Sequence, residues 1–270
     1  MVTRGNCFGV MTAALLIAGT ALHASADADH ADTALTTQAQ IASRAARPVL
    51  VVAGMMEDEA TIAPLVKVLR GRGFDVSTWV PANLGLNDIN VYAGELGKKV
   101  AEVVARTGAE KLDLIGHSQG GVTARRYVQL AGEDVPVHTL ISMGSPQQGT
   151  DYGALASGLA SAGLFDWAPG AKQLVVGSDF LSELNQKNDP TPGEVRYVAI
   201  GTRQDQVTKP VALSGIPGGE NLDMQAICPR RNVGHFGLLS DGWVHQVIFS
   251  VLAGGDAKGD CGARPLGGTS

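Results

Sequence analysis

A serine between glycines is the residue in this sequence best suited to covalent chemistry. Ser118 lies in Gly116-His117-Ser118-Gln119-Gly120, a G-x-S-x-G pattern between an apolar strand-like run and a helix-like segment. Glycines at the two flanking positions permit a turn so tight that side chains there would collide, and the turn pushes the serine hydroxyl out of the sheet. The context predicts a nucleophile; the alternative is a plain glycine-rich turn. A dinucleotide site is not predicted, because the G-x-G-x-x-G spacing is missing.

A serine at its ordinary pKa is a weak nucleophile and requires a histidine base that an acid orients. His235 lies in Gly234-His235-Phe236-Gly237, a loop after the last predicted strand, from which it can reach Ser118. His117 adjoins the serine, and the turn directs its side chain elsewhere. We therefore predict His235 as the base. Of the other histidines, His30 lies in a predicted loose tail, and structural positions are predicted for His138 at a strand start and His245 in the last helix.

An aspartate just beyond the fifth predicted strand is the favoured partner for this histidine. Asp205 follows residues 195–200, and its alternative is an ordinary turn aspartate. The chain order serine, aspartate, histidine then results. Four competitors are less well placed: Asp179 and Asp189 precede that strand, Asp223 lies inside a predicted strand, and Asp241 is suited to capping the last helix.

Two backbone amides are predicted to stabilise the oxyanion of an acyl-transfer reaction. The Gln119 amide opens the helix after Ser118, where the positive end of the helix dipole lies. Gly54, after the first predicted strand, lets the chain turn inward, and the following Met55 amide is the second predicted donor. Met55 and Met56 could equally be core residues, so this prediction rests on backbone position alone.

The elements that must position these residues alternate between two periodicities. Short β-rich runs are separated by segments with apolar residues at three-and-four spacing, which indicates parallel strands joined by helical crossovers. We predict an open, mostly parallel α/β sheet with helices on both faces and functional groups beyond the carboxyl ends of the strands. The predicted strands are residues 49–53, 75–80, 111–115, 137–143, 195–200 and 222–227; the predicted helices are 62–70, 92–107, 122–130 and 243–252.

Composition excludes some classes of function. The chain has 270 residues, with 21 Lys and Arg against 26 Asp and Glu, so it lacks the cationic surplus of a nucleic-acid reader built on a basic face. Hydrophobic residues make up 44% and charged residues 17%, which is enough apolar material for a full core and far from disorder.

The first residues are typical of an export signal. Arg4 precedes an apolar stretch at residues 8–22, and Ala24-Ser25-Ala26 is a small-x-small cleavage site. The alternative, a membrane anchor, would need about 20 apolar residues. We predict a signal peptide at residues 1–26, a loose tail at 27–46, one domain at 47–270 and a secreted, extracellular protein.

Two cysteines remain after the predicted signal is removed. Cys228 and Cys261 are most simply a disulfide in an exported protein, and the alternative is two unrelated buried thiols. The predicted loop contains His235, so the bond would restrain the segment that carries the base.

Four motifs together resemble the small secreted bacterial triacylglycerol lipases of the α/β-hydrolase superfamily. They are residues 116–121, the turn at 144–150, Asp205-Gln206-Val207 and residues 233–238. The resemblance covers residues 48–252 and implies a Ser118, Asp205 and His235 triad that hydrolyses carboxylic esters without a metal or organic cofactor. One departure is Ala53-Gly54, where many relatives have His-Gly; the donor amide is one residue later, but the anchoring of the loop is open.

The resemblance implies a lipid or ester substrate, no nucleic-acid partner, a monomer and a transient lipid interface. The alternatives are a carboxylesterase or polyester depolymerase, an acyltransferase using the same triad, and a catalytically silent binding module. The long segment at residues 151–193 is either an acyl-binding cap or another helical layer over the sheet.

Overall fold

A computed structural model of the chain describes residues 47–150, 167–186 and 191–265. The predicted signal peptide, the tail with His30, the competitor Asp189 and the first part of the long insertion lie outside the described residues. The described residues belong to one compact unit.

Six parallel strands form the single sheet that the alternation of periodicities predicts. Their spatial order is β2-β1-β3-β4-β5-β6, so the chain runs first to one edge of the sheet and then across to the other. This open, parallel sheet confirms the predicted fold class. The strands are β1 Val49–Val52, β2 Val76–Trp79, β3 Leu112–His117, β4 Val137–Met143, β5 Arg196–Gly201 and β6 Glu220–Asp223.

Helices cover both faces of the sheet because alternate strand side chains point to opposite sides. In β1, Val49 and Val51 face a core with helices α1 and α7, whereas Leu50 and Val52 face a second core with α2 and α3. Strands buried on both faces need such continuous apolar runs. The helices are α1 Glu59–Gly71, α2 Ile89–Thr107, α3 Gln119–Ala131, α4 Pro169–Gln173, α5 Asp179–Gln186, α6 Met224–Ile227 and α7 Gly242–Leu252.

The last predicted strand is partly wrong. Residues 222–227 were expected to be extended, but β6 ends at Asp223 and Met224–Ile227 form a helical turn. The side chain of Asp223 accepts hydrogen bonds from the Gln225 and Ala226 amides and so caps this turn. An N-cap aspartate is thus the local signal that overrides the apolar run.

The described part of the insertion forms a helical layer against α2 and α3. Leu174, Phe180 and Leu184 pack in one cluster with Ile89 of α2 and Val122 of α3. Residues 167–186 thus pack as a helical layer, and an acyl-binding role for the insertion stays a prediction. No helix within the described ranges has both the length and the apolar character to cross a membrane.

The carboxyl-terminal segment is tied to the loop before His235. The predicted disulfide between Cys228 and Cys261 is present, and the two cysteines have a sequence separation of 33. Arg231 adds a second tie, because its guanidinium donates to the Cys261 and Ala263 carbonyls while pairing with Asp241 at 2.7 Å. The loop is therefore held by covalent and charged contacts together.

Replacing both cysteines by serine should lower the free energy of unfolding by about 4 kcal/mol, because the unfolded chain regains the entropy of an open loop. Urea denaturation of the Cys228→Ser/Cys261→Ser protein measures this change. Wild type in excess reductant is the matched control and should unfold at the variant's midpoint. Equal midpoints for the variant and the oxidised wild type would contradict the prediction.

Candidate active site

The turn between β3 and α3 is closely packed against its neighbours. Ser118 has φ of 53°, in the left-handed region that non-glycine residues seldom adopt. A Cβ on Gly116 would lie 2.4 Å from the Gly121 Cα, and a Cβ on Gly120 would lie 2.3 Å from the Val52 carbonyl oxygen. Only glycine fits at both flanking positions, so the strained serine is held between backbone segments that approach each other closely.

The loop after β1 lies directly against this turn. A Cβ on Gly54 would lie 2.8 Å from the Ser118 Cβ. The amides on either side of Met55 are both fixed, since Gly54 donates to Glu57 at 2.7 Å and Met56 donates to the Leu84 carbonyl at 2.8 Å. The Met55 amide is therefore presented by an anchored backbone, while its side chain packs against the insertion cluster.

Gln119, which carries the other predicted donor, contacts the loop of Met55 through Gly85. Gln119 is the first residue of α3, so its amide has no acceptor within the helix. Gly85, with φ of 75°, lies between the two, because its Cβ position is 2.6 Å from the Gln119 Oε1 and 2.9 Å from the Met55 Cα. The Gln119 Nε2 also donates to the Gly85 carbonyl at 2.8 Å, which holds these segments together.

His235 and Asp205 form a buried hydrogen-bonded pair. The His235 Nδ1 lies 3.0 and 2.9 Å from the two carboxylate oxygens of Asp205. A carboxylate can only accept, so Nδ1 carries the hydrogen and Nε2 is left with a free lone pair. This is the tautomer that a general base requires.

Asp205 is itself oriented by its own loop. Its Oδ1 accepts from the Val207 and Thr208 amides, each at 2.7 Å. Gly144, after β4, passes beneath the pair, and a Cβ there would lie 3.1 Å from the Asp205 Oδ2 and 3.3 Å from the His235 Nδ1. The ends of β4 and β5 thus combine to fix the carboxylate.

The loop of His235 contacts the turn of Ser118 through His117. The two imidazole rings lie 4.7 Å apart between centroids, and the His117 Nε2 is 3.0 Å from the His235 carbonyl oxygen. The loops that carry Asp205 and His235 therefore lie against the turn that carries Ser118, at the carboxyl edge of the sheet.

Sequence reasoning missed two residues here. Glu57 is buried against His117 at 2.5 Å, and the Gln206 Oε1 accepts from the His235 amide at 3.2 Å. Gln206 follows the predicted acid directly, which was the available signal. Glu57 had none, because an acid before a helix is typical of an exposed first turn.

One group within the described ranges has ligand atoms close enough for a metal ion: Glu57, His117 and His235, within 4.8 Å of one another. Both Glu57 oxygens and both His117 nitrogens have protein hydrogen-bond partners. These contacts account for the close approach of the three residues without an ion.

Comparison with known proteins now assigns the chain to a family. The sequence profile of the palmitoyl protein thioesterase family matches residues 48–189, just over half of the chain. The chain belongs to the palmitoyl protein thioesterase family. This family member is also similar to solved lipases. Lipase B of Aspergillus fumigatus matches with TM-score 0.65 and 17% identity, and the match covers 80% of this chain and 54% of that one. A mature Bacillus licheniformis lipase matches with TM-score 0.61 and 16% identity, and the match covers 76% of this chain and 91% of that one.

Curated relatives match over shorter stretches. A triacylglycerol lipase of Pseudarthrobacter phenanthrenivorans is 45% identical over 53 residues, which cover 20% of this chain and 16% of the relative. One from Pseudomonas fragi is 33% identical over 75 residues, covering 28% and 25%. The chain thus spans a quarter or less of the length of these relatives. Together the comparisons confirm the resemblance to lipases that the motifs indicate, and they show that the chain shares the fold of solved lipases.

The competing histidines and acids have structural partners elsewhere in this family member. His138 contacts Thr139 and Asp113. His245 is buried in α7, where burial lowers its pKa and its Nε2 contacts the Leu239 carbonyl. The other aspartates considered as partners of His235, within the described residues, each lie at the start of a helix: Asp179 begins α5, Asp223 caps α6 and Asp241 caps α7.

Exposed apolar side chains surround the described part of the site. Met56 is 64% exposed, Leu84 52% and Phe236 58%. Met56 and Leu84 have positive φ, a conformation that is costly for such residues. Phe236 packs edge-on against the His235 ring at 5.1 Å. Large apolar side chains are thus presented to solvent beside the predicted triad.

Replacing Gly120 by alanine should destabilise the fold by about 1–3 kcal/mol, because the new methyl meets the Val52 carbonyl rather than a flexible side chain. Gly94→Ala is the matched control. Gly94 is an α2 glycine with nothing within 4 Å of its Cβ position, and alanine there should stabilise by up to about 1 kcal/mol. Urea denaturation midpoints measure both, and equal shifts in one direction would contradict the turn geometry.

Proposed function

We propose that this protein is a secreted serine hydrolase of carboxylic esters, with triacylglycerols as its principal substrates. The observation that carries the proposal is the buried hydrogen bond between His235 and Asp205, next to the strained turn of Ser118. An imidazole in this tautomer, beside a serine at a helix start with two anchored amides, is the arrangement that acyl transfer needs.

In the proposed mechanism, the His235 Nε2 takes the proton of the Ser118 hydroxyl as its oxygen attacks the ester carbonyl. The carbonyl electron pair moves onto oxygen, where the Met55 and Gln119 amides donate hydrogen bonds to the anion. Collapse expels the alcohol, which takes the proton from His235 and leaves an acyl-enzyme. Water then repeats the sequence, and the fatty acid leaves as Ser118 recovers its proton. The chain thus supplies the first nucleophile, the base and the oxyanion donors, and water is the second nucleophile.

The exposed apolar residues support a substrate with a hydrocarbon chain. Met56, Leu84 and Phe236 offer apolar surface next to the reacting groups, and an acyl chain that covers them gains roughly 25 cal/mol per Å² of apolar surface removed from water. The curated relatives named as triacylglycerol lipases agree with this chemistry. A transient contact of the monomer with a lipid interface follows as part of the proposal.

A thioester of a fatty acid is the second candidate substrate. It is favoured by the match to the palmitoyl protein thioesterase family over residues 48–189. The same triad and oxyanion donors would serve, with a thiolate leaving group in place of an alcohol.

Secretion is proposed from the predicted signal at residues 1–26 together with the disulfide, since disulfides persist in oxidising compartments. Mass measurement of the extracellular product tests this: an amino terminus at residue 27 is expected, and a product found only inside the cell would refute secretion.

Replacing Ser118 by alanine should lower kcat for p-nitrophenyl butyrate by at least about a thousandfold, because the nucleophile is removed while the oxyanion donors remain. Asp205→Asn should also cause a large loss, since the amide favours the wrong tautomer of His235. Asp179→Asn, at the start of α5, is the control for the acid and should retain activity. A fluorophosphonate should label wild type at Ser118; failure of labelling would revive the binding module.

Substrate preference separates the alternatives. We expect emulsified triacylglycerol and long-chain p-nitrophenyl esters to be hydrolysed faster than a palmitoyl thioester or a soluble polyester oligomer. The release of fatty acid, of thiol from the thioester and of alcohol from the esters is measured in parallel. Faster thiol release would select the thioesterase, preference for short acyl chains a carboxylesterase, and transfer to an added alcohol outpacing hydrolysis an acyltransferase.

A further inference from the structure

Glu57 is a buried carboxylate in the loop after β1 that the proposed mechanism does not use. Its side chain is 1% exposed, and its two oxygens face different segments. Oε2 accepts from the Gly54 amide at 2.7 Å, and Oε1 lies 2.5 Å from the His117 Nδ1. The side chain therefore joins the loop that carries the Met55 amide to the turn that carries Ser118.

His117 extends this connection to the loop of the base. It is fully buried, and its Nε2 lies 3.0 Å from the backbone carbonyl oxygen of His235. A chain of three hydrogen bonds thus runs from the Gly54 amide through Glu57 and His117 to the main chain of His235. The segments that carry the oxyanion donor, the nucleophile and the base are all connected by it.

The hydrogen-bond partners of Glu57 and His117 determine how many protons this pair of side chains carries. A carbonyl oxygen only accepts, so the His117 Nε2 carries a hydrogen. The Nδ1 must then either share its own proton with a Glu57 carboxylate or accept one from a Glu57 carboxylic acid. In both forms the pair is neutral overall, so no uncompensated negative charge is buried beside the developing oxyanion.

We propose that Glu57 is a positioning residue for the proposed ester hydrolysis: it aligns the Met55 amide with Ser118 and, through His117, with the loop of His235. This role depends on a side chain long enough to hydrogen-bond both partners, and not on its charge. Catalytic groups must be held within a fraction of an ångström of their productive geometry, and buried supporting hydrogen bonds provide that alignment. The inference rests on the proposed function.

The reach of the side chain separates this role from a purely electrostatic one. A glutamine at position 57 can accept from the Gly54 amide with its oxygen and donate to the His117 Nδ1 with its nitrogen. His117 then stays neutral with its hydrogen on Nε2. An aspartate keeps the charge but is one methylene shorter, so it cannot span both partners. An alanine removes both contacts.

The experiment compares Glu57→Gln, Glu57→Asp and Glu57→Ala in the full-length protein. Glu59→Gln is the matched control, an exposed acid two residues away that accepts from the Thr78 hydroxyl. With p-nitrophenyl butyrate, the aspartate and alanine variants should lose roughly 10- to 100-fold in kcat, and their KM should stay within about twofold of wild type. This loss in kcat is at most comparable to the loss caused by removing one oxyanion donor. The glutamine variant and the control should stay within about threefold of wild type.

Hydrogen exchange of the amides at residues 53–57 provides a readout independent of turnover. It should rise in the aspartate and alanine variants and stay at the wild-type level in the glutamine variant. Wild-type kcat in Glu57→Asp would overturn the inference, and so would a folded Glu57→Gln protein as impaired as Glu57→Asp. If Glu57→Ala does not fold, the comparison of Glu57→Asp with Glu57→Gln tests the inference alone.

Failure of the proposed function has a different signature. A wild-type protein that hydrolyses no ester and is not labelled by a fluorophosphonate would refute the ester hydrolase. The exchange pattern across the variants then still tests whether Glu57 anchors the loop. An active wild type whose variants all match it would refute the role of Glu57 alone.

Discussion

The lack of space between the Ser118 turn and the end of β1 is the constraint on which the rest of the site depends. The Gly120 backbone approaches the Val52 carbonyl so closely that even a methyl group has no room. That approach brings the loop after β1 against the serine and aligns its amides with the start of α3. Strain at Ser118 is tolerated because β1 and β3 are buried on both faces of the sheet, with α3 packed on one of them, so that the surrounding structure overdetermines the turn.

Buried polar contacts then organise the loops around this turn. Asp205 is held by two amides of its own loop, and His235 by Asp205, by Gln206 and by the hydrogen bond from His117. Such networks are costly when partly satisfied and rigid when complete. Each described loop of the site is therefore held by partners on a different loop, which suits groups that must meet within hydrogen-bonding distance.

Particular residues show how far the sequence leads. The glycines around Ser118 predict the tight turn, because the collision of side chains at the flanking positions is a local effect. The alternation of strand and helix periodicities predicts the parallel sheet, because parallel neighbours need long crossover connections. Residues 222–227 mislead, since an apolar run alone does not separate a strand from a helical turn that an aspartate caps. Glu57 gives no signal, because its partner His117 is brought to it only by the packing of β1 beside β3.

The sequence by itself determined the fold class, the turn at Ser118 and the pairing of Cys228 with Cys261, since each depends on residue type, spacing or a forced choice between few partners. Only the tertiary structure decided that Asp205 contacts His235 among the described aspartates, that the loop of His235 contacts the Ser118 turn, and that Glu57 connects three segments. Those contacts join residues far apart in the chain, and their distances follow from strand order and packing rather than from any local pattern.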